Sequence, residues 1–352
     1  MFKTLSIKNF RGIDNLEIKN LNKINIFVGR NGIGKSTILD AAYIAINPNN
    51  TSLILKTNLF RNFDQALNND NFWKSYFYNF NESNTISIKL ENNKKSRSLN
   101  IKPKFQSKSI ISKNKDEKNI IDLDHEEKIV LGLDTEFSIN KKSFNSTVSQ
   151  IDFATIESKL DNNFKDDLKG NYLNNKTFLD SNNITRKFNE VIVRKQKEKI
   201  INLLQKFNSN ITDIALNHEQ RIIVNDNRFP EMISANIYGD GFLKALHLIC
   251  NILGDESDII LVDEIENGID IKFQAIIWKT ILDLIKDTDK QIFISTHSYE
   301  MIKNLFEVTK KENCSDLFTL FRIQHDRNNK LIVIDYLEKD MLGALERGEE
   351  VR

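Results

Sequence analysis

Apolar residues recur at alternate positions through FKTLSIKNF and again through NLEIKN, and the intervening RGIDN has the polar, glycine-containing character of a turn. Two strands are predicted. A third, INIFV at 24–28, is nearly all apolar, the pattern of a strand buried on both faces. It runs into the glycine-rich GRNGIGKST, after which ILDAAYIAI repeats its apolar residues at helical spacing. Residues 48–150 are less regular: TISIKL (85–90) and KIVLGL (128–133) read as strands, separated by polar stretches such as NNKKSRS and KSIISKNKDEKN. From 151 to 208 the spacing turns helical, in IDFATIESKLDNNF and in FNEVIVRKQKEKIINLLQKF, and predicts two or so amphipathic helices.

The last third is clearer. RIIV and ISANIY read as strands, GDG opens the helix 242–253, and DIILVDE is a buried strand followed by the helix FQAIIWKTILDLIKD. QIFIST and YEMIKNLFEV repeat that strand–helix order, LFTLFRI and KLIVIDYL form a last antiparallel pair, and a short helix is expected near DMLGALERG. Such alternation predicts an α/β fold with a mixed central sheet, an N-terminal antiparallel β lobe and a small helical insertion. The expected divisions are 1–150, 151–215 and 216–352. No internal repeat or sustained heptad pattern is present.

Composition narrows the classes. The 352 residues are enough for about two domains with a sizeable core. Fifty Lys and Arg against 49 Asp and Glu leave a net charge of +1, which argues against a dedicated nucleic-acid coat or a membrane-surface protein. Cys250 and Cys314 stand far apart and the five histidines are scattered, which excludes a disulfide scaffold and a zinc module. No apolar run is long enough to span a bilayer and the N-terminus has no signal-peptide core, so a cytoplasmic location is expected.

Three segments carry chemistry. Gly29-x-x-x-x-Gly34-Lys35-Ser36 is the phosphate-loop pattern, lying between a buried strand and a helix. Its backbone N–H groups would curl around a nucleotide's β-phosphate, involving Gly29, Asn31, Gly32, Gly34 and Thr37. Lys35 would reach the β- and γ-phosphates of ATP, and the Ser36 hydroxyl would sit on Mg²⁺. IILVDE at 259–264 would deliver Asp263 to the same metal ion and leave Glu264 to orient or deprotonate the attacking water. QIFISTHS ends on His297, and the distance from Glu264 allows one crossover helix, so His297 is expected on a neighbouring parallel strand, within reach of the γ-phosphate.

The order N-F-R-G, phosphate loop, GDG, VDEIENGID and STHS resembles the ATP-binding-cassette ATPases of the RecF/SMC/OLD branch. The resemblance covers roughly 1–45 and 236–300. It implies an ATPase that dimerises head to tail, with Gly239, Asp240 and Gly241 forming the signature loop that contacts the γ-phosphate held by the other protomer. The usual signature opens with serine; here Gly239 stands in its place. The resemblance also implies a role near the nucleotide for Arg11 and one at the dimer interface for Asp270. Gln150 is a candidate for the branch's lobe glutamine, with Gln106 as a weaker one. A long coiled coil is excluded by the gap between Lys35 and Gly239, and the stretch after His297 is too short for an OLD-type nuclease domain.

The expected function is therefore an ATP-driven switch that forms a homodimer or higher oligomer and controls a separate effector, a nuclease or toxin, in bacterial anti-phage defence. A RecF-like DNA-binding clamp is the alternative, and a transporter's nucleotide-binding subunit a minor third. The basic runs Lys94, Lys95, Arg97 and Arg194, Lys195, Lys197, Lys199 read as solvated faces.

Overall fold

The opening alternation becomes β1 (Thr4–Phe10) and β2 (Ile13–Ile18), and the apolar run that follows becomes β3 (Ile24–Val28), buried at every position. The computed structural model describes residues 1–336 except 49, 62–69, 110–125, 141, 152–154, 162, 163, 165, 167, 179, 255 and 256. The terminal helix expected near DMLGALERG lies outside them. After β3 come α1 (Lys35–Ile46), α2 (Thr51–Leu59) and α3 (Asp70–Lys74). Five strands follow: β4 (Ile86–Glu91), β5 (Ser96–Ser109), β6 (Glu126–Ile139), β7 (Lys142–Gln150) and β8 (Ile156–Leu160). Next are β9 (Gly170–Leu173), α4 (Asn175–Phe178), α5 (Ser181–Val193) and α6 (Lys197–Leu204), then β10 (Ile211–Leu216), β11 (Ile222–Asp226) and β12 (Ile233–Ser234). The chain continues through α7 (Asp240–Leu253), β13 (Ile259–Val262), α8 (Ile271–Ile285), β14 (Gln291–Thr296), α9 (Tyr299–Glu312), β15 (Phe318–His325) and β16 (Leu331–Tyr336).

Two units are formed. The first takes in Met1–Leu5, Leu16–Asn47 and the chain from Asp166 onward; the second takes Ser6–Asn15 and Pro48–Lys165. The changes of unit thus fall after 5, 15, 47 and 165.

The first unit is built on a sheet of order β16-β15-β3-β14-β13-β9. The pairs β15–β3, β3–β14, β14–β13 and β13–β9 are parallel, and β16 closes one edge antiparallel to β15. This is the mixed sheet expected. Ile24, Ile26 and Val28 share one core with Ile260, Val262, Ile292 and Ile294, covered by α7 (Leu248), α8 (Trp278) and α9 (Leu305). The intervening Phe27 stacks on Phe293 and Phe321, with centroids 6.3 and 5.4 Å away. Helices α5 and α6 bury Phe188, Val191 and Leu204 against α7 and the three-stranded sheet β10-β11-β12.

In the second unit β4 to β8 form an antiparallel meander, the expected β lobe. Two expectations fail. IDFATIESKLDNNF is not helical where described: β8 pairs with β7 from Gln150↔Ile156 to Ser146↔Leu160. Every residue of β8 is at least partly exposed, so no apolar stripe of this strand meets a core, and backbone pairing with an open edge wins. ISANIY yields only the two-residue β12, because the Ser234 hydroxyl accepts from Asn236 N–H and turns Ala235–Tyr238 into a 3-10 segment. Among the described residues no helix is long and apolar enough to cross a membrane.

Candidate nucleotide site

The loop between β3 and α1 needs its glycines. Gly29 has φ 149°, and a Cβ there would lie 2.6 Å from the Ile323 carbonyl oxygen of the neighbouring strand. Gly34 begins α1 at φ 110°, a left-handed position that supplies no side-chain cap. By contrast α5, α8 and α9 are capped by Asp180, Asp270 and Ser298. The first-turn N–H groups of α1 and its positive dipole end are therefore left for an anion. Lys35 folds inward, its ammonium donating to the carbonyls of Gly29 at 2.7 Å and Arg30 at 2.9 Å. Burial lowers its pKa, while Glu266, Asp263 and Glu264 pull it back up. An arriving phosphate would reinforce the charged form. Within the loop Asn31 and Gly32 are exposed, and Thr37 is buried in the first turn of α1.

Asp263 follows β13 and is the hub of the site. Ser36 Oγ donates to its Oδ1 at 2.9 Å, Ser295 Oγ to the same oxygen at 2.5 Å, and Tyr172 Oη to Oδ2 at 3.3 Å. The register pairing Val262 with Ile294 brings Ser295 alongside Asp263, and that pairing Phe27 with Ser295 brings the phosphate-loop strand to the other side of β14. Burial raises the Asp263 pKa, opposed by the Ser295 and Ser36 hydrogen bonds. A hydroxyl and a carboxylate sharing one small volume are hard oxygen donors that suit Mg²⁺.

Glu264 has φ 51°, unusual for a non-glycine residue. Its N–H donates to Ser295 Oγ at 2.8 Å, and its Oε2 accepts from Asn267 Nδ2 at 2.5 Å and Asn175 Nδ2 at 3.4 Å. The carboxylate is thus held by two amides that a sequence reading had no means to select. His297 is oriented by Glu266: its backbone N–H donates to Oε1 at 2.8 Å, and its ring Nδ1 lies 2.6 Å from the same oxygen. The firm hold on this residue is the backbone bond; the ring nitrogen is close to the carboxylate without a hydrogen-bonding geometry.

The structure therefore brings Lys35, Ser36, Asp263, Glu264 and His297 to the C-terminal ends of three parallel strands. Gly239, Asp240 and Gly241 start α7, another helix without a side-chain cap, and Gly239 has φ 82°. Gly241 abuts the turn before α8, where a Cβ would lie 2.8 Å from the Gly268 carbonyl oxygen. Asp270 caps α8 through Lys272 N–H at 3.1 Å. Arg11 belongs to the second unit; its guanidinium donates to Thr57 and Asn58 at 2.8 and 2.9 Å and lies over the rings of Phe10 and Tyr76. Gln106 and Gln150 are in that unit too, joined by a bond from Gln106 Nε2 to the Gln150 carbonyl at 3.0 Å. Sequence reasoning missed Ser295, Glu266, Asn267, Tyr172 and Asn175. Ser295, Glu266 and Asn267 stand inside the quoted motifs, but only strand register and turn geometry assign them partners.

Residues 24–303 match the family described as AAA domain, putative AbiEii toxin, Type IV TA system. An ATP/GTP phosphatase of Helicobacter pylori is 24% identical over 355 aligned residues, covering 93% of each chain. A short stretch of 41 residues is 54% identical to an uncharacterized protein of Methanocaldococcus jannaschii, covering 12% of this chain and 19% of that one. Among solved structures, an SMC head bound to the C-winged helix domain of ScpA covers 97% of this chain and 99% of its own, with a TM-score of 0.52 at 11% identity. That last likeness concerns the fold.

Proposed function

The chain belongs to the family of AAA domains described as putative AbiEii toxin, Type IV TA system, and we propose that this member is an ATP-hydrolysing switch that closes head to tail as a dimer around ATP and controls a separate effector. The chain is an ATPase of the ABC and SMC-like class. Its catalytic reading is carried by one observation: Ser36 of the phosphate loop and Ser295 of the neighbouring strand both donate to Asp263, immediately before Glu264.

In this reading the α1 N-terminus and Lys35 bind the β- and γ-phosphates. Ser36 and Asp263 hold Mg²⁺, which supplies charge neutralisation at the phosphates. Glu264, steadied by Asn267 and Asn175, orients the attacking water and accepts its proton. His297, steadied by Glu266, meets the γ-phosphate side of the reaction. The likeness to an ATP/GTP phosphatase supports triphosphate hydrolysis.

Head-to-tail closure is supported by the uncapped α7 N-terminus at Gly239, with Ile237 66% exposed before it and Ile271 59% exposed after Asp270. A second copy would cover these apolar side chains and bring its γ-phosphate to Gly239, Asp240 and Gly241. Closure would then be relayed to a nuclease or toxin in the bacterial cytoplasm, as part of anti-phage defence; the family description names a toxin and a Type IV TA system. A DNA clamp has less behind it: Arg97 is buried and Lys197 is paired with Asp213 at 2.6 Å, which breaks up the basic runs.

The Glu264→Gln variant tests the reading. Hydrolysis should fall roughly 10²-fold or more, the range for losing a positioned general base, while ATP still binds. Sedimentation of that variant should give a dimer with ATP and Mg²⁺ and a monomer with ADP, since only ATP offers the γ-phosphate to the second chain. Hydrolysis at the wild-type rate removes Glu264 from its role, and a monomer with saturating ATP removes the dimer.

A further inference from the structure

Lys244 lies one helical turn beyond Gly241 on α7 and is 3% exposed. Its ammonium donates to the backbone carbonyl of Glu264 at 2.9 Å and to that of Asn267 at 3.0 Å. A third side is covered by Phe178, whose ring centroid is 4.7 Å away. Holding a lysine out of water is unfavourable: burial draws its pKa down to about 8, although Glu266, Glu264 and Asp263 all pull upward. An apolar side chain would fill the same space without that cost. What the ammonium adds is two directed bonds to the two ends of one turn.

That turn determines where Glu264 points. The Asn267 N–H also donates to the Glu264 carbonyl at 3.1 Å, so this oxygen receives one bond from the turn itself and one from α7. On the opposite side of the same residue, the Glu264 N–H is held by Ser295 of β14. Between these two grips the residue keeps φ 51°, a conformation that a non-glycine residue holds only when its surroundings enforce it. Asn267, whose carbonyl Lys244 also binds, carries the amide that steadies the Glu264 carboxylate.

We propose that Lys244 is a positioning residue that ties the Glu264 turn to α7, so that engagement of Gly239, Asp240 and Gly241 by a nucleotide is felt at Glu264 of the same chain. The inference rests on the reading of Glu264 as the water-orienting group and deepens it. In a head-to-tail dimer each α7 start faces the ATP of one site while the Glu264 it holds serves the other. Lys244 therefore links the two sites, and a shift of α7 along its axis moves the ammonium against both carbonyls.

The test replaces Lys244 with methionine, which keeps length and apolar packing and removes the donors. Turnover should fall by at least about 10-fold, as for a reacting group held slightly out of line, while the Kd for fluorescent ATP stays within about 2-fold of wild type. In the Glu264→Gln background the same substitution should cost no further rate, because the group it positions is already gone. If Lys244→Met weakens ATP binding as much as turnover, or slows Glu264→Gln by the same factor as wild type, the proposal is overturned. A wild-type turnover for Lys244→Met overturns it as well, provided Glu264→Gln is inactive. An active Glu264→Gln instead overturns the underlying reading of Glu264. Should Lys244→Met fail to fold, Lys244→Gln retains one short donor group and is judged by the same split between turnover and Kd.

Discussion

Burial draws Lys35 and Lys244 down in pKa and Asp263 up, each toward its neutral form, and neighbouring groups resist. The site thus stores unfavourable charge that a phosphate against Lys35 and a cation against Asp263 would relieve, which is a physical reason for the two to bind together. His247, also on α7, is resisted only in part. It is fully buried, and its pKa falls from 6.5 to about 4, mainly through burial, with Lys187 adding to the fall and Asp180 opposing it. Between those two values the unfolded chain binds a proton at His247 that the folded chain refuses. Stability from this residue is therefore complete above about pH 6.5 and declines as the pH drops toward 4, by an amount on the order of 3 kcal/mol. Denaturant unfolding of wild type and His247→Leu at about pH 7.5 and about pH 4.5 measures it. Wild type should lose ground to the variant on acidification, and a stability difference that stays constant would disprove the assignment.

The central strands and their covering helices were legible because each has an unambiguous period. β13 is apolar throughout, β3 and β14 carry continuous apolar runs with only Asn25 in the first and Gln291, Ser295 and Thr296 at the ends of the second, and all three are buried throughout. Helices α8 and α9 repeat their apolar residues every three or four positions and bury that stripe, while α7 is buried on all sides from Lys244 to Ile252. β9 carried no such signal: four residues, GNYL, become a strand only because β13 offers a parallel edge. β8 was misread for the complementary reason, since its helical spacing meets no core. The α8–α9 pair also yields a stability prediction. Trp278 is wholly buried, and its indole N–H donates to the Met301 carbonyl at 2.8 Å. Trp278→Ala opens a cavity beneath the sheet and frees that carbonyl, and should lower unfolding stability by about 3–5 kcal/mol. A loss below about 1 kcal/mol in chemical denaturation would mean that the two helices close over the gap.

At the scale of the whole molecule, the proposed nucleotide residues from Gly29 to Thr37 and from Gly239 to His297 all belong to one unit, and Arg11 and Gln150 belong to the other. Whether one chain completes its own site is a question of assembly, tested by mixing. Substitution at Gly241 is a poor probe, because any side chain there meets the Gly268 carbonyl of the same chain. Asp240 is exposed in the first turn of α7, so Asp240→Arg disturbs what approaches from outside. Asp240→Arg and Lys35→Ala should each be inactive alone. Mixed, they should regain part of the wild-type ATPase rate, because one of the two composite sites then pairs an intact phosphate loop with an intact signature loop. An Asp240→Arg protein that hydrolyses ATP normally by itself would end the head-to-tail model.

Local chemistry alone nominates some of these groups. A glycine loop after an apolar strand, a carboxylate pair after another and a histidine after a third each require only their own segment's residues, so Lys35, Ser36, Asp263, Glu264 and His297 could be named from the chain. Their supports could not. Ser295 matters because it stands in register with Asp263, Asn175 because α4 follows β9 onto the sheet edge, and Lys244 because α7 lies across the turn after β13. Each is an ordinary polar residue whose partner is distant in sequence, and a polar residue declares no partner until the fold removes water from around it. Sequence names the groups that do chemistry because chemistry restricts residue type; only packing decides which groups hold them, because hydrogen bonding and burial restrict position instead.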